Sequence, residues 1–179
     1  MARLGLLPLT RQAKTMLKKL FAFPNPVNEI SARIVASGVV VMALLTIILD
    51  QPWMTAVIAY GFIARVLTGP TLSPLGQLAT RVITPRLPFE PQYCAGPPKR
   101  FAQGIGVAFS LTAAILALGF DQTTAAYWVL GGLIFAASLE AYLGICLGCK
   151  AFSLLMKAGL IPEEVCERCN NISLAAPSA

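Results

Sequence analysis

The sequence predicts an all-α integral membrane protein. Four transmembrane helices form two helical hairpins, joined by an interfacial helix and followed by a short cysteine-containing cytoplasmic tail. Three observations predict this. Of 179 residues, 56% are hydrophobic and only 12% are charged, against roughly a quarter charged in soluble domains. The apolar residues gather into four long runs. All fourteen Lys and Arg residues lie on one side of those runs.

The chain divides into a basic leader over residues 1–27, a four-helix membrane domain over 28–150 and a tail over 151–179. The leader does not read as a cleavable signal, because the apolar run Leu4 to Leu9 is short and more basic residues follow it. Arg11 to Phe23 suits a basic amphipathic helix on the membrane surface, with Met16, Leu17, Leu20 and Phe21 toward lipid. A disordered basic leader fits the same residues.

The four spans run from about Ile30 to Leu49, Trp53 to Leu67, Phe101 to Phe120 and Ala125 to Ile145. Each is matched against a hydrocarbon layer of roughly 30 Å at 1.5 Å per residue, and the second is the shortest. Asp50-Gln51-Pro52 and Asp121-Gln122 form the two tight outer connections. An Asp in that place can cap the helix that follows, and Pro52 suits a first turn. Between the hairpins, Ser73 and Pro74 read as a cap and first position, and Leu75, Leu78, Ala79, Val82 and Ile83 repeat at helical spacing. Pro85, Pro88, Pro91, Pro97 and Pro98 then hold the chain extended and return Cys94 to the membrane surface.

Neither outer connection contains Lys or Arg. The positive-inside rule therefore places both termini in the cytoplasm, with the protein multi-pass in the inner membrane. The partner implied by this charge distribution is membrane lipid, not nucleic acid.

The chemistry lies in cysteine. Cys146 and Cys149 close the fourth span, Cys166 and Cys169 sit in the tail, and Cys94 precedes the third span. All five face a reducing compartment in this topology, so permanent disulfides are not the default. The C-x2-C-x16-C-x2-C spacing suits a closed four-thiolate zinc site at Cys146, Cys149, Cys166 and Cys169. The same pairs suit thiol exchange, with Cys146 and Cys149 as the exchanging pair and Cys94 as a third thiol. A pair following the C-terminal end of the fourth span meets an opposing helix dipole; Lys150 offsets it, and a new helix over Ala151 to Gly159 places Cys149 near an N-terminus. Lys99 and Arg100 follow Cys94 closely enough to lower its pKa if the loop folds back. The chain has no histidine, which removes imidazole-based haem, copper and zinc catalysis and every Ser-His or Cys-His pair.

Three charges sit in or at the ends of spans: Arg33, Arg65 and Glu140. A carboxylate at Glu140 must be paired or protonated, and Arg65, then Arg33, are its expected partners. The remaining polar span residues, Ser37, Thr46, Ser110, Thr112 and Ser138, are too few for a solute pathway, which weighs against a carrier.

Several segments resemble a bacterial integral membrane family known only as a domain of unknown function. They are NEISARIVA before the first span, GPTLSPLGQLA after the second, YCAGPPKRFAQGIG into the third and GICLGCK closing the fourth. The resemblance covers about Asn28 to Lys150. It implies a small four-helix inner-membrane protein, with thioredoxin-like or sulfurtransferase proteins as partners. The leading expectation is a membrane thiol-redox or sulfur-relay component. A scaffold subunit stapled by zinc and a small-solute carrier are the alternatives.

Overall fold

The computed structural model describes residues 23–88, 90 and 92–159. The leader helix expected before Phe23 and the Cys166/Cys169 pair lie outside the described residues. The fold is all-helical, with one small pair of strands. Its elements are β1 (Val27–Asn28), α1 (Glu29–Ile48), α2 (Met54–Thr68), α3 (Pro74–Gln77), β2 (Tyr93–Cys94), α4 (Gly96–Ala114), α5 (Thr123–Leu143) and α6 (Leu147–Lys157).

Three helices are long and apolar enough to cross a membrane: α1, α4 with its continuation to Gly119, and α5. The segment expected as the second span, α2, has only 15 helical residues. At 1.5 Å per residue it rises about 22 Å.

The ends of these helices follow from local chemistry. Asn28 caps α1, its Oδ1 accepting from the Ile30 N–H at 3.0 Å. Ser73 caps α3 as expected, its Oγ accepting from the Gly76 N–H at 3.2 Å. The regular helix expected as far as Ile83 is different: it widens into a π-helical stretch over Leu78–Ile83 and tightens to 3-10 over Thr84–Arg86, at Pro85.

The outer turns differ from expectation. Asp50 and Asp121 are not caps, and both hold a left-handed backbone, with φ of 48° and 53°. Asp is among the few residues that tolerate this conformation. The repeated Asp-Gln thus marks a left-handed Asp in both turns, although the Gln51 N–H donates to the Thr46 carbonyl and the Gln122 N–H to the Leu116 carbonyl, one residue further back. Asp50 Oδ1 also accepts from the Tyr127 hydroxyl at 2.6 Å, tying the first outer turn to α5.

Helix α4, the expected third span, starts five residues before the expected Phe101. Pro97 and Pro98 occupy its first turn rather than an extended strand, because proline costs nothing where helical N–H groups lack partners. Lys99 and Arg100 are thereby carried into the helix. The extended part of the loop is short: β2 pairs antiparallel with β1, Val27 opposite Cys94 and Asn28 opposite Tyr93.

Helix α1 packs on α5, and α2 packs on α4, which also touches α5. Small residues such as Ala43, Ala113, Ala117 and Ala126 fill the centre around Leu130 and Ile58. Large apolar residues such as Trp128, Phe135, Ile115 and Leu45 point outward. Small-inside and large-outside is the pattern of helices whose solvent is lipid. Helices α2 and α4 meet closely at Gly106, where a Cβ would lie 2.2 Å from the Phe62 ring.

Candidate functional site

Helix α5 ends at Leu143 because Gly144 turns left-handed, with φ of 68°. Only Ile145 separates that turn from Cys146, which is the N-cap of the next helix, α6. This reverses the dipole expected at the first C-x-x-C pair. Cys146 sits at the positive N-terminus of α6, not at the negative end of α5. The Cys146 Sγ accepts from the Cys149 N–H at 3.4 Å, a thiol in the place of the usual Ser or Asp cap. The new helix begins at Leu147, four residues before the expected Ala151.

Two of the contacts between α6 and α4 show how closely they pack. A Cβ at Gly148 would lie 2.5 Å from the Cα of Ala102, so the second of the two residues between the cysteines must be glycine for the helices to approach this closely. The Phe101 and Phe152 rings meet at 5.6 Å between centroids, tilted by 57°. Cys146 is buried and Cys149 half-buried, and both are free thiols.

Cys94 stands in β2, its Sγ donating to the Val27 carbonyl at 3.4 Å. It is also a free thiol. It is close enough to Lys99, Glu140 and Cys146 for their charges to act on it.

Lys99 organises this end of the molecule. Its Nζ lies 2.6 Å from Glu140 Oε1, with side chains 7% and 15% exposed. The expected partner Arg65 does not pair with Glu140. Its Nε donates to Gln103 Oε1 at 2.9 Å and its Nη1 to Ser73 Oγ at 3.2 Å, over the Phe62 ring. Nor does Arg33 pair with Glu140. Its Nε and Nη2 donate to the carbonyls of Ala141 and Tyr142 at 3.3 and 3.0 Å. A guanidinium there satisfies the open end of α5 and offsets its dipole, just before the turn that leads to Cys146. Lys99 displaces both arginines because the early start of α4 brings it within reach.

The three thiols differ in acidity. The hydrogen bond from the Cys149 side chain holds Cys146 below the ordinary thiol range, helped by the Lys99 charge and the Cys149 N–H, against burial and the Glu140 charge. Cys149 is pushed up, first because it donates to Cys146 and then by burial. Burial pushes Cys94 up to about 11, and the Lys99 charge lowers it too little to compensate. The lowered pKa expected of Cys94 is thus overturned by desolvation.

Among the described residues, no three His, Cys, Asp or Glu side chains gather closely enough to hold a metal ion. A zinc site therefore depends on Cys166 and Cys169. The span hydroxyls close on their own helices: Ser37, Thr46 and Ser110 donate to the carbonyls of Arg33, Met42 and Gly106 at 3.0, 2.8 and 2.7 Å.

Fold and site together define a small helical protein of membrane character, with a C-x-x-C motif at a helix N-terminus beside a buried Lys–Glu pair. The chain belongs to the family described as a domain of unknown function, DUF4395, whose model matches residues 27–157. No curated protein matches the chain, and no solved structure matches it.

Sequence reasoning passed over Lys99 as a buried ion-pair member and Gly148 as a contact. The signal for Lys99 was Gly96-Pro97-Pro98, which marks a helix start as well as an extended run. Nothing local marked Gly148, because its constraint comes from Ala102 on another helix.

Proposed function

We propose that this chain is a membrane thiol-exchange protein in which Cys146 attacks and Cys149 resolves. The observation that carries the reading is Cys146 at the N-cap of α6, with Cys149 one turn on and donating to it. A thiolate is stabilised there by the dipole and by two hydrogen bonds, while the second thiol keeps its proton until needed. The Cys146 thiolate attacks one sulfur of a partner disulfide, forming a mixed disulfide and releasing the other sulfur as a thiolate. Cys149 then loses its proton and attacks Cys146 Sγ. A Cys146–Cys149 disulfide forms, the partner leaves as a dithiol, and two electrons have passed to it. A thioredoxin-like dithiol reverses these steps and restores the pair. Sulfur relay uses the same nucleophile, with Cys146 taking the terminal sulfur of a sulfurtransferase persulfide and releasing the donor thiolate. Cys94, with its raised pKa, is a reserve thiol in either case.

The proposed setting is the inner membrane, with α2 as a fourth crossing. A 15-residue helix does this through local thinning of the bilayer and through its flanking turns. Both outer turns lack Lys and Arg, and the thiols share the opposite end with Lys99, Arg100 and Lys150. By the positive-inside rule this supports a topology with the thiols and both termini on the cytoplasmic side. The segment Pro74–Arg86 then lies at the inner interface.

The second reading is a structural zinc site that joins Cys166 and Cys169 to Cys146 and Cys149, favoured by their spacing alone. Metal content and free-thiol count on one anaerobically purified sample decide between the two. Thiol exchange predicts metal-free protein whose Cys146 and Cys149 oxidise as a pair. One zinc per chain with four protected thiols would replace it with the structural reading.

A further inference from the structure

Arg65 is 6% exposed, and its Nη2 is buried with no hydrogen-bond partner among the described residues. A buried donor on a charged group left unmade is costly, so such atoms call for a ligand. The guanidinium is planar, and Nε–H and Nη2 share one of its edges. Nε–H points to Gln103, so Nη2 faces the same way. Gln103 and Arg65 both line a cavity of about 160 Å³ between α1, α2, α3 and α4, which Lys99, Asn28 and Thr80 also line. With its Oε1 engaged by Arg65, Gln103 has its amide N–H donors left to offer.

The charges agree with this. Two buried cations, Arg65 and Lys99, stand near one carboxylate, Glu140, which Lys99 holds at 2.6 Å. Among the described residues the Arg65 charge has no carboxylate partner, in a part of the molecule where an unbalanced charge is expensive. Apart from Ser31, whose hydroxyl pairs with that of Thr84, the remaining walls are apolar and include Phe23, Val27 and Val35.

We infer that this cavity binds an oxyanion, held by the Arg65 Nη2–H and the Gln103 amide in a field supplied by Arg65 and Lys99. The site is separate from the cysteines and stands whether or not they exchange. The oxyanion is either free or the headgroup of an anionic lipid whose apolar part follows the cavity wall.

The test is thermal unfolding of the full chain in zwitterionic micelles with inorganic phosphate titrated against chloride at matched ionic strength. A parallel arm compares phosphatidylcholine nanodiscs with and without phosphatidylglycerol. A ligand of the folded state raises the unfolding temperature in a saturable way. Stabilisation by phosphate identifies a free oxyanion, and stabilisation by phosphatidylglycerol alone identifies a headgroup. In Arg65→Met the apparent affinity falls about tenfold or more, as expected for losing a charge-assisted bond. Gln103→Leu, which keeps the arginine, weakens it less. If neither probe stabilises the unmutated protein, or if Arg65→Met responds equally, the site is not an oxyanion site.

Discussion

The Cys149 N–H donates to the Cys146 Sγ at 3.4 Å, so a cysteine, not a serine or aspartate, caps helix α6. The bond ties the reactivity of the first thiol to the folding of the helix that carries the second.

Thiol reactivity should follow pH differently at the two sites. The hydrogen bonds from Cys149 hold Cys146 low, so its alkylation rate levels off below the ordinary thiol range. Cys94, pushed up to about 11 by burial, stays protonated at neutral pH, and its rate climbs about tenfold per pH unit until that value is approached. Mass-resolved alkylation across pH measures both. Equal profiles for Cys94 and Cys146 would remove the assigned difference.

Gly148→Ala should destabilise the protein by about 1–3 kcal/mol, the usual cost of overpacking. Its Cβ meets the Ala102 backbone at 2.5 Å, which has no rotamer to move away. The reactivity of Cys146 should fall with it, because α6 must shift from α4. Unfolding midpoints and alkylation rates on the same sample check both effects. Glycine at position 104, with nothing within 4 Å of an added Cβ, supplies the tolerant control, Gly104→Ala.

Glu140→Gln leaves Lys99 buried without its carboxylate. Breaking such a pair from one side costs roughly 3 kcal/mol or more. The double variant Lys99→Met with Glu140→Leu should recover much of that loss, since both charges leave together. Denaturation of Lys99→Met, Glu140→Leu and the double variant gives the coupling. Additive losses would mean that the pair does not act as a unit.

Arg33→Met removes the donors to the Ala141 and Tyr142 carbonyls, with an expected cost of about 1–2 kcal/mol. Because the effect is local, amide exchange should quicken most over Gly144 to Cys149. Uniform quickening along α1 and α5 would show that Arg33 serves the whole helix pair instead.

Much of the fold was legible because membrane helices announce themselves by apolar length and by the side on which their charges fall. Ser73 and Pro74 marked a helix start correctly, since a cap is a local interaction. The aspartates misled for a related reason: Asp50 and Asp121 belong at turns both as caps and as left-handed residues, and the sequence pattern is the same. The site was legible only as a set of cysteines. That Cys146 opens a helix depends on the left-handed turn at Gly144; a glycine there can break the apolar run, but its residue type alone does not say whether the helix stops or continues through the first cysteine pair. The pairing of Lys99 with Glu140 depends on packing across 41 positions of chain, which spacing does not encode.

The central claim is that Cys146 attacks and Cys149 resolves, and trapping a mixed disulfide with an oxidised small disulfide tests it most directly. Cys149→Ser should accumulate a stable adduct at Cys146, Cys146→Ser should form none at Cys149, and the unmutated chain should pass through the adduct to an internal disulfide. An adduct that forms on Cys149 as readily as on Cys146, or none on either while the protein remains folded, would contradict the account.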